Sequence, residues 1–308
     1  TFLASARRSY LQLLFKSFDI PIRPNYWDFQ AKVTHQFNKK TTLTILGIGA
    51  IDEFRFEAPK EATPEKLYTI NSNVLVNQWN YTIGASLKRN IPNGYWNLAL
   101  SRNYFNNDIE KHEDNQNPTA ANKTLDIVSA EAETKLRFDV NKNIDGWKIA
   151  YGASTQLADY TNNTFSVIRK EVRDAAGNLV QPAVIVNFNS PLNAFFKLGA
   201  FVQAGKRFAA NRIGISAGIR TDMNTFTANG MNGLQTLSPR ISVSYVLADK
   251  WTWNSSAGIY YKIPPYTILG FAENNNVLVN KNARYQRSNH YTTGFEYLPN
   301  DGLRFTVE

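Results

Sequence analysis

Cysteine is absent from the 308 residues, which removes disulfide frameworks and thiolate metal centres together. Histidine is nearly as scarce: His35, His112 and His290 stand far apart, without ligand-like spacing. No metal centre and no catalytic histidine pair is therefore expected. The Gly47-Ile48-Gly49 run continues to Asp52, where a dinucleotide fingerprint needs a third glycine. The acidic residues between 110 and 114 lack the spacing of an EF-hand loop. No catalytic residue emerges, so neither an enzyme nor a bound cofactor is expected.

Also missing is any apolar run of the ~20 residues that a membrane helix requires. The first 15 residues show no signal-peptide pattern. Negative charge is in deficit: 34 Lys and Arg face 25 Asp and Glu, a net charge of +9. Such a balance suits nucleic acid, or anionic headgroups and a polar lumen. The basic residues are scattered over strand faces and strand ends, with no recognition motif beside them, so no nucleic-acid partner is expected.

What is present is alternation. Trp27, Phe29, Ala31, Val33 and Phe37 share one face, against Asp28, Gln30, Lys32, Thr34 and Gln36. Trp79, Tyr81, Ile83, Ala85, Leu87 and Ile91 oppose Asn80, Thr82, Gly84, Ser86, Lys88 and Asn90. Leu136, Phe138 and Val140 oppose Glu133, Lys135, Arg137 and Asp139. Period-2 segments of this kind recur through residues 198–202, 213–219, 241–247 and 251–261. They predict strands that are apolar on one face and polar on the other. Residues 43–56 alternate poorly, and Gly47 and Gly49 predict a bend or close contact there. Residues 164–173 and 184–188 predict a hairpin standing above the sheet.

About thirteen strands of roughly 10–14 residues are expected, longer than the five or six usual in globular sheets and long enough to cross a membrane at a tilt. Short turns at 38–41, 92–94, 141–146, 209–211, 248–250 and 299–302 alternate with long polar connections near 11–25, 57–77, 106–127, 159–193, 225–236 and 264–288. Short and long ends then fall on opposite sides of one up-and-down antiparallel sheet. Bacterial outer-membrane β-barrels have this asymmetry, with tight periplasmic turns and long extracellular loops. A soluble β-rich adhesin or carbohydrate-binding protein remains the alternative, with its apolar faces packed on a second sheet.

All six tryptophans sit at strand ends: Trp27 and Trp79 open strands descending from long loops, and Trp96, Trp147, Trp251 and Trp253 open strands rising from short turns. That placement predicts two aromatic belts at the membrane interfaces. Arg102, Tyr104 and Asp108, polar and aromatic residues at a strand-to-loop transition, are the candidate solute contacts at the extracellular end. The amide- and aromatic-rich stretches 103–107, 160–165 and 271–276 offer further surface for a saccharide or chelate.

Particular segments go beyond pattern. Ala6-Arg7-Arg8-Ser9-Tyr10, Tyr26-Trp27-Asp28-Phe29-Gln30 and Gly47-Ile48-Gly49-Ala50-Ile51-Asp52 come in order. Leu237-Ser238-Pro239-Arg240 and Gly258-Ile259-Tyr260-Tyr261-Lys262-Ile263-Pro264-Pro265 follow, then Ser288, Tyr291, Gly294, Glu296 and Tyr297. Together they resemble the barrel of TonB-dependent outer-membrane receptors, particularly those of Bacteroidota-type bacteria. The resemblance implies a transmembrane barrel of 22 strands, closed by an N-terminal plug and energised by TonB. It implies import of a scarce solute: a ferric chelate, a cofactor or an oligosaccharide. Residues 1–308 would then be a partial barrel domain, with the plug, the TonB-contacting N-terminal region and the remaining strands outside this chain. Implied partners are outer-membrane lipid, lipopolysaccharide, TonB and a surface lipoprotein. A passive porin or structural barrel is the second reading.

Overall fold

The computed structural model describes residues 1–190, 192–273 and 277–308. Residues 274–276, the amide end of the 271–276 stretch, lie outside the described residues. The chain runs up and down one antiparallel sheet. β1 (Phe2–Arg8) leads to a short helix α1 (Leu11–Ser17). β2 (Ile22–Asn38) descends and β3 (Thr41–Phe56) rises to α2 (Pro64–Ser72). β4 (Leu75–Ile91), β5 (Gly94–His112), β6 (Lys123–Ile144) and β7 (Trp147–Arg169) follow. Above them lie the two-strand ribbon of β8 (Val172–Arg173) and β9 (Leu179–Gln181), and then β10 (Val184–Asn189). β11 (Phe195–Phe208), β12 (Ile213–Asn224), β13 (Ser238–Ala248) and β14 (Trp251–Lys262) continue the meander. The helical turn α3 (Tyr266–Leu269), a second ribbon of β15 (Ala272–Glu273) and β16 (Val277–Leu278), then β17 (Gln286–Asn300) and β18 (Leu303–Val307) complete it.

Thirteen strands pair in sequence order, with β10 docked beside β7 as the fourteenth, so each strand meets its chain neighbours as the all-β reading expects. The sheet curls: one cavity is lined by residues as distant in the sheet as Tyr95 on β5, Ser244 on β13 and Arg304 on β18. The 164–188 hairpin is present, Val184 pairing with Arg169 and Asn189 with Asn163.

Strand lengths differ from expectation. β4, β5, β6 and β7 run to 17, 19, 22 and 23 residues. The ladder continues through residues read as loop: Glu110 pairs with Asp126, and Phe165 with Asp126 in turn. Much of this extension is polar on both faces, as a ladder beyond the membrane is when both of its faces meet water. The 141–146 turn tightens to Asp145-Gly146, since Ile144 still pairs with Trp147. Those two residues take φ of 50° and 77°, the left-handed pair that a two-residue hairpin needs. Two of the long connections, near 11–25 and 57–77, carry helices. Thr63 caps α2 through its hydroxyl and Pro64 opens it.

β3 keeps an unbroken register against β4 despite its irregular alternation. It is apolar on both faces: Ile45 and Ile51 on one, Leu46 and Ile48 on the other. A side chain at Gly49 would meet the Asn80 carbonyl oxygen at 3.2 Å, so the close contact predicted there exists, whereas Gly47 has open space.

Candidate functional site

Register assigns the two faces. Leu98, Leu100, Leu136, Phe138, Ile83 and Tyr151 share the outward face, and among the described residues no second sheet covers it: Ile83 and Leu100 are both 53% exposed. A continuous apolar face left open around a curled sheet is stable against acyl chains and not against water. Polar residues line the inside. Among the described residues no helix is long and apolar enough to span a membrane.

The six tryptophans fall into two outward bands. At the upper band Trp27 stacks on Phe29, centroids 6.0 Å apart, while Trp79, Tyr81 and Tyr104 form one cluster, with Trp79 4.9 Å from Tyr104. At the lower band Trp96 meets Phe138, Trp147 meets Phe208, and Trp251 stacks on Tyr297 at 4.5 Å. Trp253 donates from its indole nitrogen to the Thr293 hydroxyl at 2.9 Å, which satisfies the one polar atom of that ring. Trp27 and Trp79 sit several residues inside β2 and β4 instead of opening them, because these strands overshoot the belt.

The same register places Arg102, Tyr104 and Asp108 on the outward face, in phase with Leu98 and Leu100. Tyr104 belongs to the upper aromatic cluster. Arg102 lies just below it and donates to the Thr134 hydroxyl at 2.8 Å. Contact with a solute inside the barrel does not follow from this geometry: a period of two sends their neighbours Asn103, Phe105 and Asn107 inward instead. His35, on the outward face near a turn, rests edge-on against Phe37. His112 is buried. Its Nδ1 lies 3.0 Å from the Asn122 side-chain oxygen, where it braces the β5–β6 loop.

The inner face carries three levels of chemistry. At the mouth, loops fold inward and bury Ala158, Tyr160, Leu192, Phe195, Tyr266 and Leu269 together. Lys197 donates to Glu133 Oε1 at 2.6 Å, and the Tyr266 hydroxyl is bonded to both side chains. Burial first, then the Glu133 carboxylate beside it, pushes the Tyr266 phenol far above its ordinary range, so it keeps its proton and donates. Pro264-Pro265 ends β14 and turns the chain into α3, and α3 delivers Tyr266. Below this lies a cavity of about 380 Å³ lined by Arg137, Arg220, Arg240, Phe201 and Tyr260, among others. Towards the short turns a larger cavity of about 1130 Å³ holds inward Lys148, Arg207 and Arg304, the last paired with Glu296, with Glu308 beside them. In the middle cavity the inner wall is basic.

Sequence reading put Glu133 and Arg137 on a polar face but singled out neither, and it passed over Lys197 and Tyr266. Their partners lie 64 and 133 residues away from Glu133, and no local pattern carries that distance. Among the described residues no group of acidic and histidine side chains is arranged to hold a metal ion.

An up-and-down sheet with a lipid-facing exterior, paired aromatic bands, tight turns at one end and folded loops over a polar interior defines the wall of an outer-membrane β-barrel. Residues 16–308 match the family described as TonB dependent receptor-like, beta-barrel, and the chain belongs to that family. The domain resides in the bacterial outer membrane, and its family is one of transport receptors and not of enzymes.

Solved structures share the fold. The copper transporter OprC is 13% identical over 91% of this chain and 44% of its own, with a TM-score of 0.63. The ferric enterobactin receptor PfeA from Pseudomonas aeruginosa, as a double mutant, is 12% identical over 97% and 44%, at 0.62. The siderophore receptor PirA from Acinetobacter baumannii is 12% identical over 92% and 42%, also at 0.62. The chain thus spans less than half the length of these structures. No curated protein sequence matches it.

Proposed function

We propose that this domain forms part of the wall of a TonB-dependent importer that takes a scarce solute across the outer membrane. The observation that carries the reading is the family match over residues 16–308, joined to a polar inner face whose mouth is partly covered by its own loops. A loop cover and a charged interior suit capture and gated passage better than free diffusion. The relatives' lengths support a larger barrel, with these strands as one portion and a plug and TonB-contacting segment supplied by the rest of the receptor. Lipopolysaccharide around the upper aromatic band and a surface lipoprotein over the loops are the further partners of this reading. The Bacteroidota-type lineage rests on the segment resemblance alone.

Solute contact is proposed for inward residues at the mouth and middle, Asn103, Phe105, Glu133 and Arg240, with Arg102 and Tyr104 at the lipid boundary and Asp108 above it on the outer face of β5. The names of the structural relatives suggest iron chelates and copper as first candidates, beside cofactors and oligosaccharides. The test is accumulation of labelled ferric chelates, cobalamin and oligosaccharides by cells that carry the complete receptor. Uptake should vanish when either the receptor gene or TonB is removed. Uptake that persists without TonB would instead establish a passive porin.

A further inference from the structure

We propose that the cavity beneath the mouth is a subsite for an oxyanion, a carboxylate or phosphate group borne by the imported solute. The inference rests on the transport reading above and names the chemistry of its cargo. Arg137, Arg220 and Arg240 reach this one cavity from β6, β12 and β13, and no carboxylate lines it among the described residues. Two of the three are partly neutralised nearby, Arg137 by Asp139 at 3.0 Å and Arg220 by a two-point contact with Asp222. Arg240 differs: its guanidinium lies over the Tyr260 ring, 4.2 Å from the centroid, so its charge is positioned by an aromatic face and, among the described residues, by no carboxylate.

The arrangement is built into the strands. Gly218, Arg240 and Gly258 form one rung across β12, β13 and β14. A side chain at Gly258 would lie 3.0 Å from the Tyr260 ring and 3.2 Å from Arg240 Cγ, so glycine there is what permits the stack. A side chain at Gly199 would meet Arg220 and Asp222 within 3 Å, so glycine also leaves room for that pair. The next rung down is Ser216, Ser242 and Ser256, three hydroxyls side by side. Gln203 donates to Ser216 Oγ at 2.9 Å, which leaves the Ser216 proton available to a ligand. Guanidinium groups above a row of hydroxyl donors match the lone pairs of a carboxylate or phosphate, and repel a bare cation.

Sodium tungstate, a tetrahedral oxyanion with strong anomalous scattering, is the probe. Crystals of the complete receptor soaked in it should show one anomalous peak within hydrogen-bond reach of Arg240 and Ser242. Calorimetry in detergent should find binding about tenfold weaker in Arg240→Gln and less affected in Arg240→Lys, with heat-modifiable electrophoretic mobility unchanged. Should Arg240→Gln fail to fold, Ser242→Val keeps the stack and is expected to weaken binding about threefold. No peak, a peak that survives Arg240→Gln unchanged and so marks an adventitious ion only, or a cavity filled by a carboxylate of the receptor itself would each overturn the proposal. Loss of TonB dependence would sink the importer reading without touching the tungstate result, so the two failures are separable.

Discussion

β4 to β7 and β11 to β14 solve the same problem in opposite ways. The first group carries its ladder far past the upper aromatic band, with strands of 17 to 23 residues and a compact β5–β6 connection. The second group stops sooner, at 11 to 14 residues, and its connections fold back over the interior. Above the membrane, backbone groups need partners as much as they do inside it. Extended strands satisfy them through the ladder. Short strands leave the task to loop packing, and the buried mouth cluster is the result. Rigidity thus comes from hydrogen bonds on one side of the mouth and from side-chain burial on the other. The side built on burial is the one a solute could reshape.

The contrast is broken most severely at Leu269, which is fully buried in the mouth cluster. Leu269→Ala should cost about 2–5 kcal/mol of local packing. Hydrogen exchange should rise through residues 263–285 while residues 106–112 stay protected. Equal loosening of both would mean that the loops and ladders form one cooperative unit.

Next is Glu133→Gln, which leaves Lys197 and the Tyr266 phenol without their shared carboxylate. An expected loss of about 1–3 kcal/mol should release α3 from the wall. A fluorophore attached within 280–283 should report greater mobility, with heat-modifiable electrophoretic mobility unchanged.

A smaller effect is expected outside. Trp79→Ala removes one ring from the Trp79, Tyr81 and Tyr104 cluster and should cost about 1–2 kcal/mol, read as a lower unfolding midpoint in lipid vesicles. Loop positions should not respond.

The smallest concerns pH. Asp19 joins the β1–β2 connection to α2, and the hydrogen bond from Lys66, then that from the Lys60 amide, lowers its pKa to about 2. A depressed acid stabilises above its unfolded pKa of 3.8 and loses that contribution as pH falls through about 2. Proteolysis within 57–62 by pepsin should therefore quicken between pH 4 and pH 2, and Asp19→Asn should abolish that pH dependence.

The membrane-level fold was legible because lipid enforces strict alternation: Trp79 to Ile91 could be assigned to faces by counting alone. The tight turns were legible for the same local reason, down to Asn93, which takes φ of 59°. What failed lay where lipid no longer constrains the pattern. Residues 106–112 look like loop and are strand. Arg102, Tyr104 and Asp108 share the phase of Leu98 and Leu100, a placement that counting along β5 gives. The Glu133, Lys197 and Tyr266 group was beyond reach, since it depends on how far the sheet curls and where α3 lands. Arg240 stood in the Leu237-Ser238-Pro239-Arg240 segment, visible as a resemblance but silent about the Tyr260 stack.

The central claim is that one face of this sheet meets lipid and the other lines a polar path. The direct measurement uses single spin labels at 97 to 104 on β5, in a cysteine-free background of the complete receptor reconstituted in vesicles. Accessibility to oxygen should peak at 98, 100, 102 and 104, and accessibility to a water-soluble nickel chelate at 97, 99, 101 and 103. The opposite phase, or nickel access at 102 and 104, would contradict the account and return those two residues to the solute path.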